Sequence, residues 1–288
     1  MNITYENEIK RDNSWFWDKN FKANLICTDD LDSLLSVLLI LQYRPNWKIS
    51  GFFDYRTGLY QKLDEDIELT QENTVWVDCS SIKQGDKCIS NHLTSISGEV
   101  HNTADINLNT IDENNRDKHY FSKYNLSTFL LLVSLFEHEI DNKVGQVLSL
   151  CPDSAYKAYY QPSQYADSEV QRQYLVNKLQ LKDIYDIQSK ITKNKFKQII
   201  RQQNLNSKVY VNEFGIRTVD DVDLEMILKY LNITTDLSVL DGMFGMIEES
   251  SCANKSVNVF RGRDLQDSKI TSYAITSNNN VSYSYKID

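Results

Sequence analysis

Residues 23–41 of the chain read Ala-Asn-Leu-Ile-Cys-Thr-Asp-Asp-Leu-Asp-Ser-Leu-Leu-Ser-Val-Leu-Leu-Ile-Leu. Residues 23–28 form a short apolar segment, which predicts a buried strand. Residues 34–41 are almost entirely apolar, which predicts a helix that is buried on most of its faces. Three carboxylates, Asp29, Asp30 and Asp32, therefore stand where a strand ends and a buried helix begins.

These aspartates have two readings. A single aspartate is a good helix N-cap, and acidic residues in the first turn complement the helix dipole. Three aspartates so close in sequence repel one another, and each extra carboxylate costs stability unless a cation or hydrogen-bond donors receive it. Capping and metal binding both remain open on this stretch alone.

The composition narrows the class of protein. The 288 residues suffice for one large domain or two modest ones. A formal net charge of -9 argues against a surface that coats nucleic acid, but it allows a local basic pocket or a metal site that handles phosphate. The five cysteines are scattered and form no C-x-x-C pair, which argues against zinc fingers and disulfide frameworks.

Membrane and export signals are missing from the sequence pattern. The longest apolar run, residues 34–41, is too short to span a membrane. Residues 1–19 are polar and charged, unlike a signal peptide. We therefore expect a cytoplasmic protein that has no membrane partner.

Apolar segments alternate with helical or polar crossovers in the first half of the chain. This alternation predicts an α/β fold, with a mainly parallel sheet and flanking helices. The segments that predict its strands are residues 23–28, 47–53, 74–77 and 87–90.

The pattern changes from residue 208 onward and predicts a smaller α+β C-terminal domain. A helix is expected at 221–231, and strands are expected at 208–212, 237–248, 256–260 and 281–287, with a polar turn at 249–255. The corresponding division is an α/β domain at 1–165, a helical connector at 166–205 and the small domain at 206–288. The basic segment 190–201 of the connector is read as a solvated helix face, with phosphate contact as the alternative.

Side chains that bind metals fall at the carboxyl ends of the predicted strands, where ligands bind in parallel sheets. They are Asp30, Asp32, Asp54, Asp78 and His92. Their collection at one edge indicates a site more strongly than any one of them. Asp54 by itself is best read as a loop carboxylate.

The order of these motifs resembles the DHH phosphoesterase superfamily, which includes RecJ exonucleases, oligoribonucleases that act on short RNA, cyclic dinucleotide phosphodiesterases and a class of inorganic pyrophosphatases. The Asp-x-Asp-x-x-x-Ser motif is similar to residues 30–36, and an aspartate that ends a later strand is similar to Asp78. The Asp-His-His motif resembles residues 91–93, Asn-His-Leu, and the fourth motif resembles Asp153 with the serine after it. The resemblance covers about residues 23–155.

The resemblance implies a metal-dependent phosphodiesterase that acts on short oligonucleotides or nucleotides. Two divalent ions, Mn²⁺ or Mg²⁺, would activate a water and stabilise the oxygens of an in-line phosphoryl displacement. The implied ligands are Asp32, Asp78 and His92 for one ion, and Asp30, Asp78 and Asp153 for the other. Asp30, Asp32, Asp78 and His92 would also be the catalytic residues, and Asn91, Arg261 and Arg263 would contact the substrate.

The chain departs from the family pattern at several positions. Ile26 stands where the family has a histidine, Asn91 and Leu93 replace an aspartate and a histidine, and no Gly-Gly-His loop is present. One ion, two ions or none therefore remain open. An alternative function is a catalytically inactive protein of the DHH fold that binds a nucleotide or a protein partner, and a further one is an unrelated α/β protein whose aspartates are caps. A homodimer is also open.

Overall fold

The computed structural model describes residues 1, 3–63, 67–96, 99, 101–111, 117–161, 167–260, 264–277 and 279–287. Within these ranges the strands are β1 (Asn24–Thr28), β2 (Lys48–Asp54), β3 (Gly58–Lys62), β4 (Thr74–Val77), β5 (Lys87–Ile89), β6 (Asp105–Ile106), β7 (Val209–Asn212), β8 (Gly215–Thr218), β9 (Phe244–Ser256), β10 (Ile270–Ser277) and β11 (Asn280–Lys286). The α-helices are α1 (Ile3–Asp12), α2 (Leu31–Tyr43), α3 (Leu108–Ile111), α4 (Thr128–Leu135), α5 (Lys143–Ser149), α6 (Asp167–Arg172), α7 (Lys182–Ile187), α8 (Lys193–Gln202), α9 (Leu224–Tyr230) and α10 (Val257–Phe260).

Nine of the described strands form one mixed sheet in the order β10-β11-β9-β3-β2-β1-β4-β5-β6. The pairs β2–β1, β1–β4, β4–β5 and β5–β6 are parallel, and the other neighbours are antiparallel. Strand β1 is buried along its whole length, as expected for a parallel strand covered on both faces. The predicted α/β class is confirmed, but the expectation of a mainly parallel sheet is correct only for this half.

The sheet curls, so that its antiparallel end approaches the segments that follow β4 and β5. Ile275 of β10 donates its N–H to the carbonyl of Leu93 at 2.8 Å, and the Tyr273 hydroxyl donates to the carbonyl of Thr94 at 2.7 Å. These bonds fix the chain just after His92, which the sequence places at the candidate site.

The C-terminal part of the chain contributes to two sheets. Strands β7 and β8 form a separate hairpin, whereas β9, β10 and β11 continue the large sheet beyond β3. The smaller α+β domain at 206–288 and the other two boundaries stay predictions.

Two predicted elements in this part were wrong, and the strand predicted at 237–248 is only partly right, since residues 237–240 form a 3₁₀ turn and β9 begins at Phe244. Residues 249–255, expected as a turn, lie inside β9, because an antiparallel strand can keep polar residues on a solvated face. Residues 257–260, expected as a strand, form α10, because Val257 and Phe260 bury the same side of one helical turn.

Helix α2 is the central element of the core beneath the parallel strands. Asp30 caps its first turn by accepting from the Ser33 N–H, and every residue from Leu31 to Leu41 is buried. The helix ends at Tyr43 because the next residue precedes Pro45 and is steered away from helical backbone angles. None of the described helices is long and apolar enough to cross a bilayer.

Candidate functional site

Ser33 fixes the loop that carries the first aspartates. Its hydroxyl donates to the carbonyl of Val77 at 2.9 Å and accepts from the N–H of Thr28 at 2.8 Å. Because Thr28 ends β1 and Val77 ends the neighbouring parallel strand β4, one hydroxyl joins the carboxyl ends of both strands. Asp32 and Asp78 are therefore held at the same edge of the sheet.

Asp32 faces the N-terminus of helix α4. Its two carboxylate oxygens accept from the backbone N–H groups of Thr128 at 2.7 Å and Phe129 at 3.0 Å. These amides lie in the first helical turn, where unpaired N–H groups and the helix dipole favour an anion. The carboxylate is only 2% exposed. It is thus held rigidly at the bottom of the site.

Asp78 follows β4 in a left-handed backbone conformation, with φ of 59°. Such a conformation costs a non-glycine residue about 1–2 kcal/mol. It is held by the Asp78 N–H, which donates to Ile89 at 2.8 Å, and by the Tyr55 hydroxyl, which donates to the Asp78 carbonyl at 2.8 Å. The carboxylate is directed inward, where it accepts from the Thr128 hydroxyl at 2.6 Å.

Asp153 approaches from the segment after α5 and lies exposed at the mouth of the site. It and Ser154 are both left-handed, with φ of 51° and 56°. The Asp153 carboxylate accepts from the Asn91 side-chain amide at 2.5 Å, and the same amide donates to the carbonyl of Leu126 at 3.0 Å. The other end of this amide, Asn91 Oδ1, is buried without a hydrogen-bond partner in the part of the chain that the structure describes.

Asp32, Asp78 and Asp153 meet at one point. A carboxylate oxygen of each lies within 4.8 Å of the other two, and the described residues contain no other group of three metal-binding side chains this close together. Burial is the main cause that raises the pKa of the Asp32 and Asp78 carboxyls, and repulsion among the carboxylates raises both further. We call Asp32, Asp78 and Asp153 the carboxylate cluster.

Asp30 and His92 border the carboxylate cluster. The Asp30 carboxylate caps α2 by accepting from a backbone N–H of the first turn. Burial and the charge of Asp153 raise the pKa of Asp30. The Nε2 atom of His92 lies 4.0 Å from Asp78 Oδ1. Burial lowers the pKa of His92 to about 4, so the imidazole is neutral at neutral pH and offers a ring nitrogen as a ligand.

The donor set of the site fits a hard divalent cation. It combines three carboxylates with a neutral imidazole. Carboxylate and carbonyl oxygens suit Mg²⁺ or Mn²⁺, and one imidazole is compatible with Mn²⁺. The residues that would hold such an ion are Asp32, Asp78, Asp153 and His92, with Asp30 beside them.

Other predicted positions lie away from this point. Asp54 accepts from the N–H groups of Arg56 and Thr57, so it closes the turn after β2. Ile26, where the DHH family has a histidine, is buried in a separate apolar cluster with Phe53, Leu59 and Cys79. Leu93 is buried in the apolar cluster beneath β10 and β11. Arg261 and Arg263, predicted to contact the substrate, are outside the described residues.

Sequence reasoning missed two side chains at the site. Thr128 donates its hydroxyl to Asp78 and its backbone N–H to Asp32, and the signal for it in the sequence is a serine and threonine pair before an apolar run. Lys123 is half-buried over the ring of Tyr120, 4.5 Å from its centroid, and its charge acts on Asp153. Lys123 stands in a polar stretch that carries no motif.

No protein-family description, curated protein or solved structure matches this chain.

Proposed function

We propose that this protein is a divalent-metal-dependent phosphoesterase that hydrolyses a phosphodiester of a nucleotide or short oligonucleotide. The convergence of three carboxylates within 4.8 Å carries the proposal. Three negative charges this close, two of them buried, repel one another strongly unless a cation joins them. The order of motifs that resembles the DHH phosphoesterases adds to the proposal.

Each residue has a distinct part in this function. Asp32, Asp78, Asp153 and His92 would hold one or two ions, Mn²⁺ or Mg²⁺. A bound divalent ion supplies Lewis acidity to phosphoryl oxygens and makes a bound water acidic. Lys123 would meet a phosphate oxygen at the mouth, since it lies beside Asp153 and forms no ion pair with another described residue.

Hydrolysis of a chromogenic diester, bis(4-nitrophenyl) phosphate, tests this function. We expect activity that depends on added Mn²⁺ and falls at least about 100-fold in Asp78→Asn, because loss of a direct ligand exceeds the typical effect of removing a residue behind one. Asp105→Asn is the matched control, since Asp105 is equally buried but lies outside the carboxylate cluster. Equal rates in the protein and both variants would overturn the proposal.

A second function is a nucleotide-binding protein of this fold without catalytic activity. The apolar surroundings of Ile26 favour it, because no ligand stands where the DHH family has a histidine. It predicts saturable Mn²⁺ and nucleotide binding without any turnover. Sustained Mn²⁺-dependent cleavage would exclude it. A cytoplasmic location and a homodimer stay predictions under either function.

A further inference from the structure

A basic cavity of about 450 Å³ lies against the chain segment that directly follows Asp153 of the carboxylate cluster. Three cations line it, Lys157, Lys197 and Arg201. Its wall also includes Ser154, the residue that follows Asp153, so the cavity and the carboxylate cluster share part of the chain. We call this cavity the basic pocket.

The three cations of the basic pocket are free to receive a ligand. All three side chains are exposed, and none forms a hydrogen bond or an ion pair with another described residue. Elsewhere a lysine at the edge of the site is already paired, since Lys208 lies 3.1 Å from the carboxylate of Asp29. One carboxylate, Asp220, lines the basic pocket as well and leaves a surplus of two positive charges.

The local fold explains how these cations converge. Helix α8 buries Phe196 and Ile200 and turns the neighbouring positions, Lys197 and Arg201, outward four residues apart on one face. Tyr156 stacks on Phe196 with ring centroids 4.5 Å apart, which fixes α8 against the segment that carries Lys157. Like charges held together in this way repel one another unless an anion joins them. The arrangement therefore concentrates positive charge in a chain whose net charge is -9.

We propose that the basic pocket binds a phosphate group of the ligand, next to the phosphate that reaches the carboxylate cluster. Arginine provides a planar fork that matches phosphate oxygens, and lysine adds point charges. Mononucleotides with a single phosphate cannot occupy both places, so the ligand carries at least two phosphate groups along a chain. The inference rests on the proposed function only for the identity of this ligand. For segment 190–201 it takes the alternative that the sequence left open, phosphate contact.

Binding of a fluorescein-labelled single-stranded tetranucleotide to the full chain in EDTA tests the basic pocket without any hydrolysis. The double variant Lys197→Ala/Arg201→Ala is expected to bind at least about 10-fold more weakly, and the salt dependence should fall by about 0.7 in log–log slope for one lost phosphate contact. Inorganic phosphate should compete in the unchanged protein. Circular dichroism should show the variant folded, because both side chains are exposed.

Lys193→Ala/Lys195→Ala is the matched control, since it removes the same charge from the same helix outside the basic pocket. We expect the control to bind within about 2-fold of the unchanged protein, much as surface changes far from a contact do. Equal weakening in both double variants would mean general charge attraction and would overturn the inference. Absence of tetranucleotide binding by the unchanged protein, or equal competition by a glutamate-rich peptide, would also overturn it.

The outcome is separable from that of the proposed function. Loss of tetranucleotide binding only in Lys197→Ala/Arg201→Ala, in a protein that never hydrolyses a diester, would support the basic pocket and exclude the phosphoesterase. Mn²⁺-dependent hydrolysis together with unchanged binding in that variant would support the phosphoesterase and exclude the basic pocket.

Discussion

Two buried carboxylate sites on this sheet differ in how their charge is accommodated. Asp105 of β6 is alone, and it accepts from the Ser80 hydroxyl at 2.7 Å, from the Ser90 hydroxyl at 2.9 Å and from the Asn107 amide at 3.2 Å. The carboxylate cluster brings three carboxylates within 4.8 Å of one another. Four hydrogen bonds reach these three groups, two from backbone N–H groups, one from a hydroxyl and one from a side-chain amide. Neutral donors suffice for a single buried charge, whereas three together call for a cation.

The largest effect is expected from a substitution in the carboxylate cluster. Asp78→Asn should lower Mn²⁺-dependent diester hydrolysis at least about 100-fold, whereas Asp105→Asn should retain it. The physical reason is that Asp78, unlike Asp105, has a carboxylate oxygen within 4.8 Å of those of two other aspartates, where a cation can bind. Steady-state rates of the two variants at saturating Mn²⁺ check this, and a comparable loss in both would erase the distinction between the sites.

Thr128→Val should give the next largest effect. This near-isosteric change removes the hydroxyl that donates to Asp78 at 2.6 Å but keeps the backbone N–H that donates to Asp32. Residues that orient a metal ligand typically contribute about 10–100-fold to metal affinity. Mn²⁺ titration of the variant measures the loss. Thr110→Val is a control, since its hydroxyl bonds the carbonyl of Asn107 instead, and unaltered affinity in Thr128→Val would contradict the assignment.

Asp105→Asn should change stability rather than activity. Burial raises the pKa of Asp105 to about 6, although its hydrogen bonds oppose the change. Because this pKa lies above the unfolded value, the carboxyl stabilises the fold most at low pH and loses that contribution as the pH rises through 6. The side chain in Asp105→Asn does not ionise, so the variant does not lose this stability as the pH rises. The free energy of unfolding of the variant minus that of the unchanged protein should therefore increase by about 1–2 kcal/mol from pH 4.5 to pH 7.5. Urea unfolding at both pH values tests this, and a constant difference would contradict it.

Ser80→Ala should produce the smallest change. It removes one of the donors to Asp105 while Ser90 and Asn107 remain. A lost hydrogen bond to a buried charged group costs about 1.5 kcal/mol or somewhat more. Urea unfolding at pH 7.5 measures the cost, which should be smaller in the Asp105→Asn background, where the hydrogen bonds of Ser80 join only neutral groups. A similar cost in that background would show that Ser80 acts on something other than the Asp105 charge.

The sequence supports the parallel half of the fold better than the antiparallel half. Strands β1 and β4 are short and mostly apolar, and an aspartate follows each of them, so their common edge could be inferred from the sequence. Strand β9 carries a polar stretch whose strand conformation depends on pairing with partners far away in sequence. Its length is a tertiary effect that local composition does not record.

The candidate site shows the same division. The carboxyl ends of β1 and β4 are neighbours, so the meeting of Asp32 with Asp78 follows from topology. Thr128 begins α4, so its placement depends on how α4 packs on α2, and Lys123 lies in the polar stretch before that helix. The basic pocket depends on the docking of α8 beside Asp153, which no local pattern in residues 190–201 indicates.

Direct Mn²⁺ binding tests the central claim that the carboxylate cluster is a cation site. Calorimetric titration of the full chain should show saturable binding that weakens at least about 10-fold in Asp153→Asn and is unchanged in Asp105→Asn. Asp153 is suited to this test because it lies exposed at the mouth, so its replacement leaves the core intact. Equal affinities in the protein and both variants, or no saturable binding, would mean that the three aspartates serve the fold alone.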